Sequence, residues 1–273
     1  MKIIRLIMAI AGLLMAGVSF GQKKEAVVVY YSQTSNTRNV AQEIATRLGA
    51  DIKEIQAVKP YDGDFQATIS RCMKDRQDGV KPEIKTLDID FSKYDVIFLG
   101  YPIWFGTYAP PVETFLSQVD FRGKKLVPFC TFGSGGLDSS VKDLIACQPK
   151  AQILPGYGVR AARLKAVPQE VDQFLKAGGF IKGEYTKLAA FPEQHVVSAE
   201  ESAIFDKAVG DYPMIHAKAE TVAQRTIPGG TEYLFTAKDQ PREGGQQMPP
   251  AGTMKVYVTV LNGQAPEFTQ VVR

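Results

Sequence analysis

The chain has 273 residues, of which 45% are hydrophobic and 22% charged, and its formal net charge at pH 7 is +3. This length suits one large domain or two modest ones, and the composition excludes both a disordered protein and a multi-span membrane protein. The basic residues form no run that would follow a phosphate backbone, so we expect no nucleic-acid partner.

The first 21 residues predict a signal peptide that is cleaved after Gly21. Lys2 and Arg5 precede an apolar stretch at residues 6–18, which is shorter than the ~20 residues that a membrane-spanning helix needs. An uncleaved anchor is the alternative. No cysteine follows the stretch to accept a lipid, so we expect an exported protein, in the bacterial periplasm, with no stable membrane span in its mature form.

Residues 26–177 alternate between strand and helix patterns. The segment A-V-V-V-Y-Y is continuously β-branched or aromatic, as a strand buried on both faces requires. Val40, Ile44 and Leu48 then recur four apart, and Gly49 ends that helix. Further strands are predicted at residues 51–57, 95–100, 126–131 and 152–159, with helices at residues 66–78, 111–118, 139–146 and 168–177. This order predicts an α/β domain over residues 22–182, built on a five-stranded, doubly wound parallel sheet.

The pattern changes after this domain. Residues 183–192 have the mixed character of a linker, and residues 193–273 form a second, smaller domain. Its helix is predicted at residues 198–209, where Ser198 and Glu201 make a capping box. Four strands follow, at residues 215–226, 231–237, 254–261 and 268–272, separated by turns and by a loop at residues 241–252. One helix and four strands predict an α+β unit on an antiparallel sheet.

Few residues outside the loops suggest chemistry. The three cysteines are Cys72, Cys130 and Cys147, an odd number without C-x-x-C spacing, which favours neither a disulfide framework nor a zinc site. His195 and His216 have no second ligand-like residue at helical spacing. We therefore predict no metal site, and since no acid–base pair or nucleophile stands out, no catalytic residue.

The strongest functional signal is S-Q-T-S-N-T, between the first strand and the first helix. A helix N-terminus presents unpaired N–H groups and a positive dipole end, and the hydroxyl groups here add donors for a phosphate. The segment lacks the lysine of a Walker loop and the G-x-G-x-x-G pattern, so a monoester phosphate suits it better than a nucleoside triphosphate or a dinucleotide. An ordinary N-cap is the alternative. The candidate residues are Ser32, Gln33, Thr34, Ser35, Asn36 and Thr37.

A second signal, Y-P-I-W-F-G-T-Y, follows the third strand. The rings of Trp104, Phe105 and Tyr108 could stack on a planar ligand, and Gly106 would let the backbone approach it. A hydrophobic loop packed on the sheet is the alternative. The candidate residues are Pro102, Ile103, Trp104, Phe105 and Gly106.

A third signal, T-F-G-S-G-G, follows the fourth strand. Its glycines indicate a special backbone geometry or close approach of a ligand, and a plain loop is the alternative. All three segments follow parallel strands, and open α/β sheets bind ligands beyond the carboxyl ends of their strands. The candidate residues here are Thr131, Phe132, Gly133, Ser134, Gly135 and Gly136.

Residues 26–178 resemble a flavodoxin of the bacterial group that has an S-x-T-x-N-T loop and a P-I-W-x-G loop. Residues 71–84 and 112–116 are similar to that group as well. The resemblance implies FMN as cofactor, with its phosphate held by residues 32–37. It also implies that Trp104 and Phe105 border the isoalloxazine ring and that residues 132–136 close its other side. Flavodoxins are typically acidic and cytoplasmic, so the positive net charge and the signal peptide predict a different redox partner.

The C-terminal unit resembles the cystatin fold around its central hairpin loop, T-I-P-G-G-T-E-Y. Thr226 and Pro228 replace the glutamine and valine of the inhibitory loop, so we do not expect protease inhibition. A structural or partner-binding accessory domain is the preferred interpretation.

Three functions fit these observations. The preferred one is electron transfer through bound FMN, with an unidentified redox protein or a small molecule as electron acceptor. The second is an FMN-dependent NAD(P)H:quinone-type reductase. The third is a non-redox protein that binds its partner through the C-terminal domain.

Overall fold

The computed structural model describes residues 26–62, 64–210, 212–240 and 252–273. Its first part, the parallel unit, alternates strands with helices as the sequence predicts. The elements are β1 (Ala26–Tyr30), α1 (Asn36–Leu48), β2 (Asp51–Glu54), α2 (Phe65–Gln77), β3 (Val96–Trp104), β4 (Thr107–Tyr108), α3 (Pro110–Gln118), β5 (Lys125–Phe132), α4 (Leu137–Cys147), β6 (Gln152–Ile153), β7 (Tyr157–Arg160) and α5 (Val167–Ala177).

The sheet has the predicted doubly wound order. Its strands lie in the order β2-β1-β3-β5, and all these neighbours run parallel. The fifth position is shared by β6 and β7, which both pair parallel with β5. The single strand predicted at residues 152–159 is thus in two pieces, because Pro155 lacks an N–H group for the ladder. The short β4 folds back antiparallel onto the end of β3.

Helices cover both faces of this sheet. Alternate residues of β1 point to opposite faces, and all of them from Val27 to Tyr30 are buried. Val27 and Val29 share a core with Phe115 of α3, whereas Val28 shares another with Ile44 of α1. Burial on two faces explains the continuous apolar runs of β1, β3 and β5.

The second part, the C-terminal unit, is the predicted α+β structure. Its elements are β8 (His195–Val196), α6 (Ala199–Val209), β9 (Ala217–Ile227), β10 (Gly230–Asp239), β11 (Thr253–Leu261) and β12 (Glu267–Val272). The strands are antiparallel, in the order β12-β11-β10-β9-β8. The two-residue β8 is too short to show a period in the sequence. The capping box of α6 is confirmed, with Ser198 and Glu201 bonding reciprocally.

Residues 178–194, without helix or strand, connect the two units. In the part of the chain that the structure describes, no helix has the length and apolar character needed to cross a membrane. The predicted signal peptide, residues 1–21, and most of the predicted loop at residues 241–252 lie outside the described residues.

Candidate functional site

The three predicted segments meet at one edge of the parallel sheet. They are called here the first loop (residues 32–37), the second loop (residues 102–106) and the third loop (residues 131–136). They follow or include the ends of β1, β3 and β5, which are adjacent strands in the sheet. The register places Tyr30 beside Gly100 and Pro102 beside Thr131. The topology therefore brings all three candidate segments together at the carboxyl ends of the strands.

Backbone strain is concentrated in two of these loops. Among the described residues, only Ser35 and Phe105 have a positive φ without being glycine, at 64° and 54°. Ser35 lies in the first loop and Phe105 in the second. Residues in this region carry a conformational cost, and such residues cluster at ligand sites.

The first loop leaves the N-terminus of α1 partly open. Ser35 is the N-cap of α1 but makes no side-chain capping bond. The hydroxyl oxygen of Ser32 instead accepts the N–H of Arg38 at 3.2 Å. Because one side-chain bond satisfies only one of the four unpaired N–H groups of a helix start, the first residues of α1 keep donors for an anion.

The hydroxyl groups of the first loop have different surroundings. Thr34 is exposed, so its hydroxyl is open to a ligand. Thr37 is buried, and its Oγ1 lies 2.8 Å from Oγ1 of Thr131, at the start of the third loop. One hydroxyl of this pair donates to the other, which leaves one hydrogen for a further acceptor. The first and third loops are thus joined at the base of the site.

Gln33 points away from the first loop. Its side-chain amide donates to the carbonyl oxygen of Tyr61 at 2.8 Å and to Oγ1 of Thr68 at 2.7 Å. Its role in the structure is to hold Tyr61 and Thr68 against the loop, whereas the sequence suggested a phosphate ligand.

Tyr61 is a site residue that the sequence did not single out. Its ring is buried and lies edge-on to Trp104, with centroids 5.1 Å apart. The Arg71 guanidinium stacks 3.9 Å from the Tyr61 centroid, and the Tyr61 hydroxyl donates to Asp75 at 2.9 Å. The family resemblance of residues 71–84 covers its partners Arg71 and Asp75 but not Tyr61 itself.

The aromatic rings of the second loop differ in how far they are exposed to solvent. Trp104 is half-buried and packs edge-on against Tyr31 as well, at 5.9 Å. Phe105 is 50% exposed, with the Arg76 guanidinium 5.1 Å from its centroid. The expectation that Tyr108 could stack on a ligand is wrong. Pairing of β4 with β3 turns Tyr108 inward, where its ring is buried against Tyr101.

Gly106, at φ 82°, ends the second loop, and Thr107 follows it. The Thr107 Oγ1 is the single buried side-chain polar atom without a hydrogen-bond partner in the described part of the chain. An unsatisfied buried hydroxyl costs about 1–3 kcal/mol, so its presence beside a candidate site suggests that a ligand or water completes it.

The third loop is fixed to the second. The Ser139 hydroxyl lies 2.5 Å from the carbonyl oxygen of Gly106 and 3.1 Å from that of Gly136. Gly136 has φ 121°, and a Cβ built there would lie 2.6 Å from a methyl carbon of Ile103. Glycine at this position therefore serves both the backbone geometry and the close approach of the two loops.

Phe132 and Gly133 face other parts of the protein. The Phe132 ring is buried in a core and packs over Gly158 of β7. The Gly133 carbonyl oxygen accepts Nε–H of Arg160 at 2.8 Å. At these positions only the backbone remains to border a ligand between the second and third loops.

The tyrosine and cysteine side chains buried around the loops stay neutral near physiological pH. Burial raises the pKa of Tyr31 and that of Tyr61 far above the ordinary value for tyrosine, and burial also raises the pKa of Cys72. The three loops themselves contain no carboxylate, imidazole, amine or thiol. The site thus offers hydroxyl and backbone donors and flat rings, which suits holding a prosthetic group more than acid–base catalysis by side chains.

The chain belongs to the flavodoxin family, whose model matches residues 25–172, more than half of the sequence. FMN is the cofactor to which this family assignment points.

The chain is also similar to several solved structures. A candidate flavoprotein of Bacteroides eggerthii is 26% identical with a TM-score of 0.50, over 56% of this chain and 96% of its own. One of Bacteroides uniformis is 27% identical with a TM-score of 0.50, over 55% and 99%. A flavoprotein of Lactobacillus acidophilus, in complex with FMN, is 24% identical with a TM-score of 0.46, over 50% and 93%. No curated protein is significantly similar to the chain.

Proposed function

We propose that this protein binds FMN and works as an exported electron-transfer protein. The observation that carries the proposal is the meeting of three loops at the end of the parallel sheet, two of them with a strained non-glycine residue and none with an ionisable side chain. Such a site positions a cofactor and leaves the chemistry to it. When bound, the flavin takes up and releases one or two electrons.

The first loop would hold the phosphate. The open N-terminus of α1 offers backbone N–H groups, Thr34 is exposed, and the hydroxyl pair of Thr37 and Thr131 keeps one free hydrogen. These neutral donors fit a phosphate monoester, because the helix dipole supplies positive potential without a lysine.

The flavin ring would lie between the second and third loops. Trp104 and Phe105 would border it on one side and the backbone of Gly133–Gly136 on the other. Thr107, whose buried hydroxyl has no hydrogen-bond partner among the described residues, directly follows the second loop. Because Ser139 ties both loops together, they are held at a fixed separation. A ring bordered on two sides keeps an edge open, which suits electron transfer to a docked partner better than hydride transfer from a stacked nicotinamide.

The test is an absorbance spectrum of the purified protein after FMN has been added and the excess removed. We expect retained flavin bands. With Thr34→Glu, the added carboxylate faces the phosphate, and we expect FMN affinity to fall at least about tenfold, about 1.4 kcal/mol. Thr34→Gln has nearly the same size without the charge and is the matched control. Equal affinity of the two variants would contradict the assignment of the first loop.

Steady-state consumption of NADPH distinguishes an electron carrier from a reductase. We expect the FMN-loaded protein to exchange electrons with a redox protein or an artificial acceptor after chemical reduction, without consuming NADPH steadily in the presence of a quinone. Sustained NADPH consumption would instead favour the reductase. A protein that retains no flavin would favour a binding role for the C-terminal unit. Export is tested separately, by the N-terminal sequence of the protein recovered from the periplasm, for which we expect Gln22.

A further inference from the structure

The C-terminal unit contacts the third loop directly. Its strand β12 lies at the edge of the antiparallel sheet, so one side of β12 has no partner within that sheet. On that side the Val271 N–H donates to the carbonyl oxygen of Ser134 at 2.7 Å. An edge strand thus uses its open backbone groups to bond a loop of the candidate flavin site.

Two glycines of the third loop make room for this contact. A Cβ at Gly135 would lie 2.0 Å from the Val271 carbonyl oxygen, and one at Gly133 would lie 2.7 Å from the Tyr212 hydroxyl. Neither glycine has a positive φ. The structure therefore explains both by the close approach of the C-terminal unit, whereas the sequence attributed them to the flavin.

Arg160, at the end of β7, joins the third loop to the C-terminal unit. Its buried guanidinium donates from Nε to the Gly133 carbonyl oxygen at 2.8 Å and from Nη1 to the Phe268 carbonyl oxygen at 2.9 Å. The guanidinium also stacks on Phe268, 3.4 Å from the ring centroid. Burial lowers the pKa of Arg160, as expected for a charge taken from water. A planar fork can bond two carbonyl groups at once, so Arg160 fixes the third loop relative to β12.

We propose that the C-terminal unit is a clamp that holds the third loop in its binding conformation and thereby sets the affinity for the flavin. The loop begins at Thr131, bonded to Thr37 of the first loop, and ends at Gly136, packed on Ile103 of the second. A displaced third loop would disturb its contacts with both others. The identity of the cofactor rests on the proposed function, but the clamp itself does not.

Gly135→Ala is the decisive variant. Its methyl group would overlap the Val271 carbonyl oxygen and force β12 away from the loop. Gly230→Ala is the matched control, because its methyl group would lie 2.1 Å from the Val260 carbonyl oxygen, inside the C-terminal unit and remote from the third loop. We expect Gly135→Ala to weaken FMN binding about tenfold, since the binding-competent loop is populated less. Gly230→Ala should keep the wild-type dissociation constant. Equal constants in wild type and Gly135→Ala, or equal weakening in both variants, would overturn the proposal.

Amide hydrogen exchange tests the clamp without flavin. We expect residues 131–136 and the Val271 amide to exchange faster in flavin-free Gly135→Ala than in wild type or Gly230→Ala. Arg160→Lys keeps the charge but loses the fork, so it should accelerate exchange in the same loop and would serve if Gly135→Ala does not fold. Unchanged loop exchange in these variants would refute the clamp. Failure of the wild-type protein to bind FMN would refute the proposed function, and the exchange result would still decide the clamp.

Discussion

The two sheets of this protein are buried in different ways. The first six residues of β3 are all buried, because helices cover both faces of the parallel sheet. In β11, by contrast, Met254, Val256 and Val258 are buried and the residues between them are not. A sheet with one buried face needs apolar residues only at alternate positions of its strands. The parallel unit therefore presents only the ends of its strands to ligands, whereas the C-terminal unit presents a strand edge and a partly open face.

The connecting segment makes polar contacts with the face of the antiparallel sheet that points away from its core. The Gln194 side chain accepts from the hydroxyl groups of Thr221 and Thr236. Arg225 lies 4.3 Å from the Phe191 centroid and pairs with Glu232 at 2.6 Å. Because a largely buried ion pair is weak evidence for stability, we expect the stability of the C-terminal unit to depend mainly on its single core.

The largest expected effects come from breaking one core at a time. Phe129 of the parallel sheet and Phe235 of the antiparallel sheet are both fully buried. We expect alanine at either position to lower the free energy of unfolding of its own unit by about 3–5 kcal/mol. Trp104 is the single tryptophan of the chain, so its fluorescence reports unfolding of the parallel unit. Phe129→Ala should shift the urea midpoint of that signal, and Phe235→Ala should leave it unchanged.

Each variant is the control for the other, with circular dichroism following both units. A shift of the Trp104 midpoint by Phe235→Ala as large as that caused by Phe129→Ala would contradict separate cores. The protein would then unfold as one cooperative body, and the comparison of two independently stabilised units would fail.

Most of the fold was predictable from the sequence because its signals are local. Continuous apolar runs predicted β1, β3 and β5, and the pair of Ser198 and Glu201 predicted the start of α6. The sequence predicted one strand at residues 152–159, whereas the structure breaks it around Pro155 into β6 and β7. The two-residue β8 has no sequence period, since it forms through its pairing with β9.

The site was predictable in position but less so in the direction of its side chains. Strand order alone brings the three loops together. The inward turn of Tyr108 depends on pairing of β4 with β3, and the bonds of Gln33 depend on Tyr61 and Thr68. The purpose of Gly135 depends on a strand more than a hundred residues later in the chain. Contacts between distant segments leave no periodic signal in a single sequence.

A smaller effect tests the helix that covers the single apolar face. The Ser198 side chain caps α6, and Phe205 and Val209 of that helix pack into the core of the C-terminal unit. We expect Ser198→Ala to lower the free energy of unfolding of this unit by about 1 kcal/mol, because an N-terminal N–H group loses its partner. Urea unfolding followed by circular dichroism measures the loss. Ser202→Ala, inside the same helix, is the control, and an equal loss in both would assign the effect to something other than the cap.

The smallest effect is the pH dependence of the same cap. Burial acts to raise the pKa of Glu201, but bonds from the Ser198 N–H and hydroxyl and from His195 outweigh it, so the pKa is lowered. A lowered folded-state pKa gives stability above the unfolded value of about 4.3, and this stability is lost as the pH falls through the folded pKa. We expect the free energy of unfolding of the wild type to be higher than that of Glu201→Gln by less than about 1 kcal/mol near neutral pH. This difference should shrink below about pH 4.3. Glu200→Gln removes the same charge one residue earlier, where the carboxylate makes no such bonds, and is the matched control, for which we expect a smaller loss of unfolding free energy near neutral pH. If the stability difference between wild type and Glu201→Gln grew on acidification, its pH dependence would be opposite to the one that the cap requires. The role of Glu201 in stabilising the helix through this cap would then be contradicted.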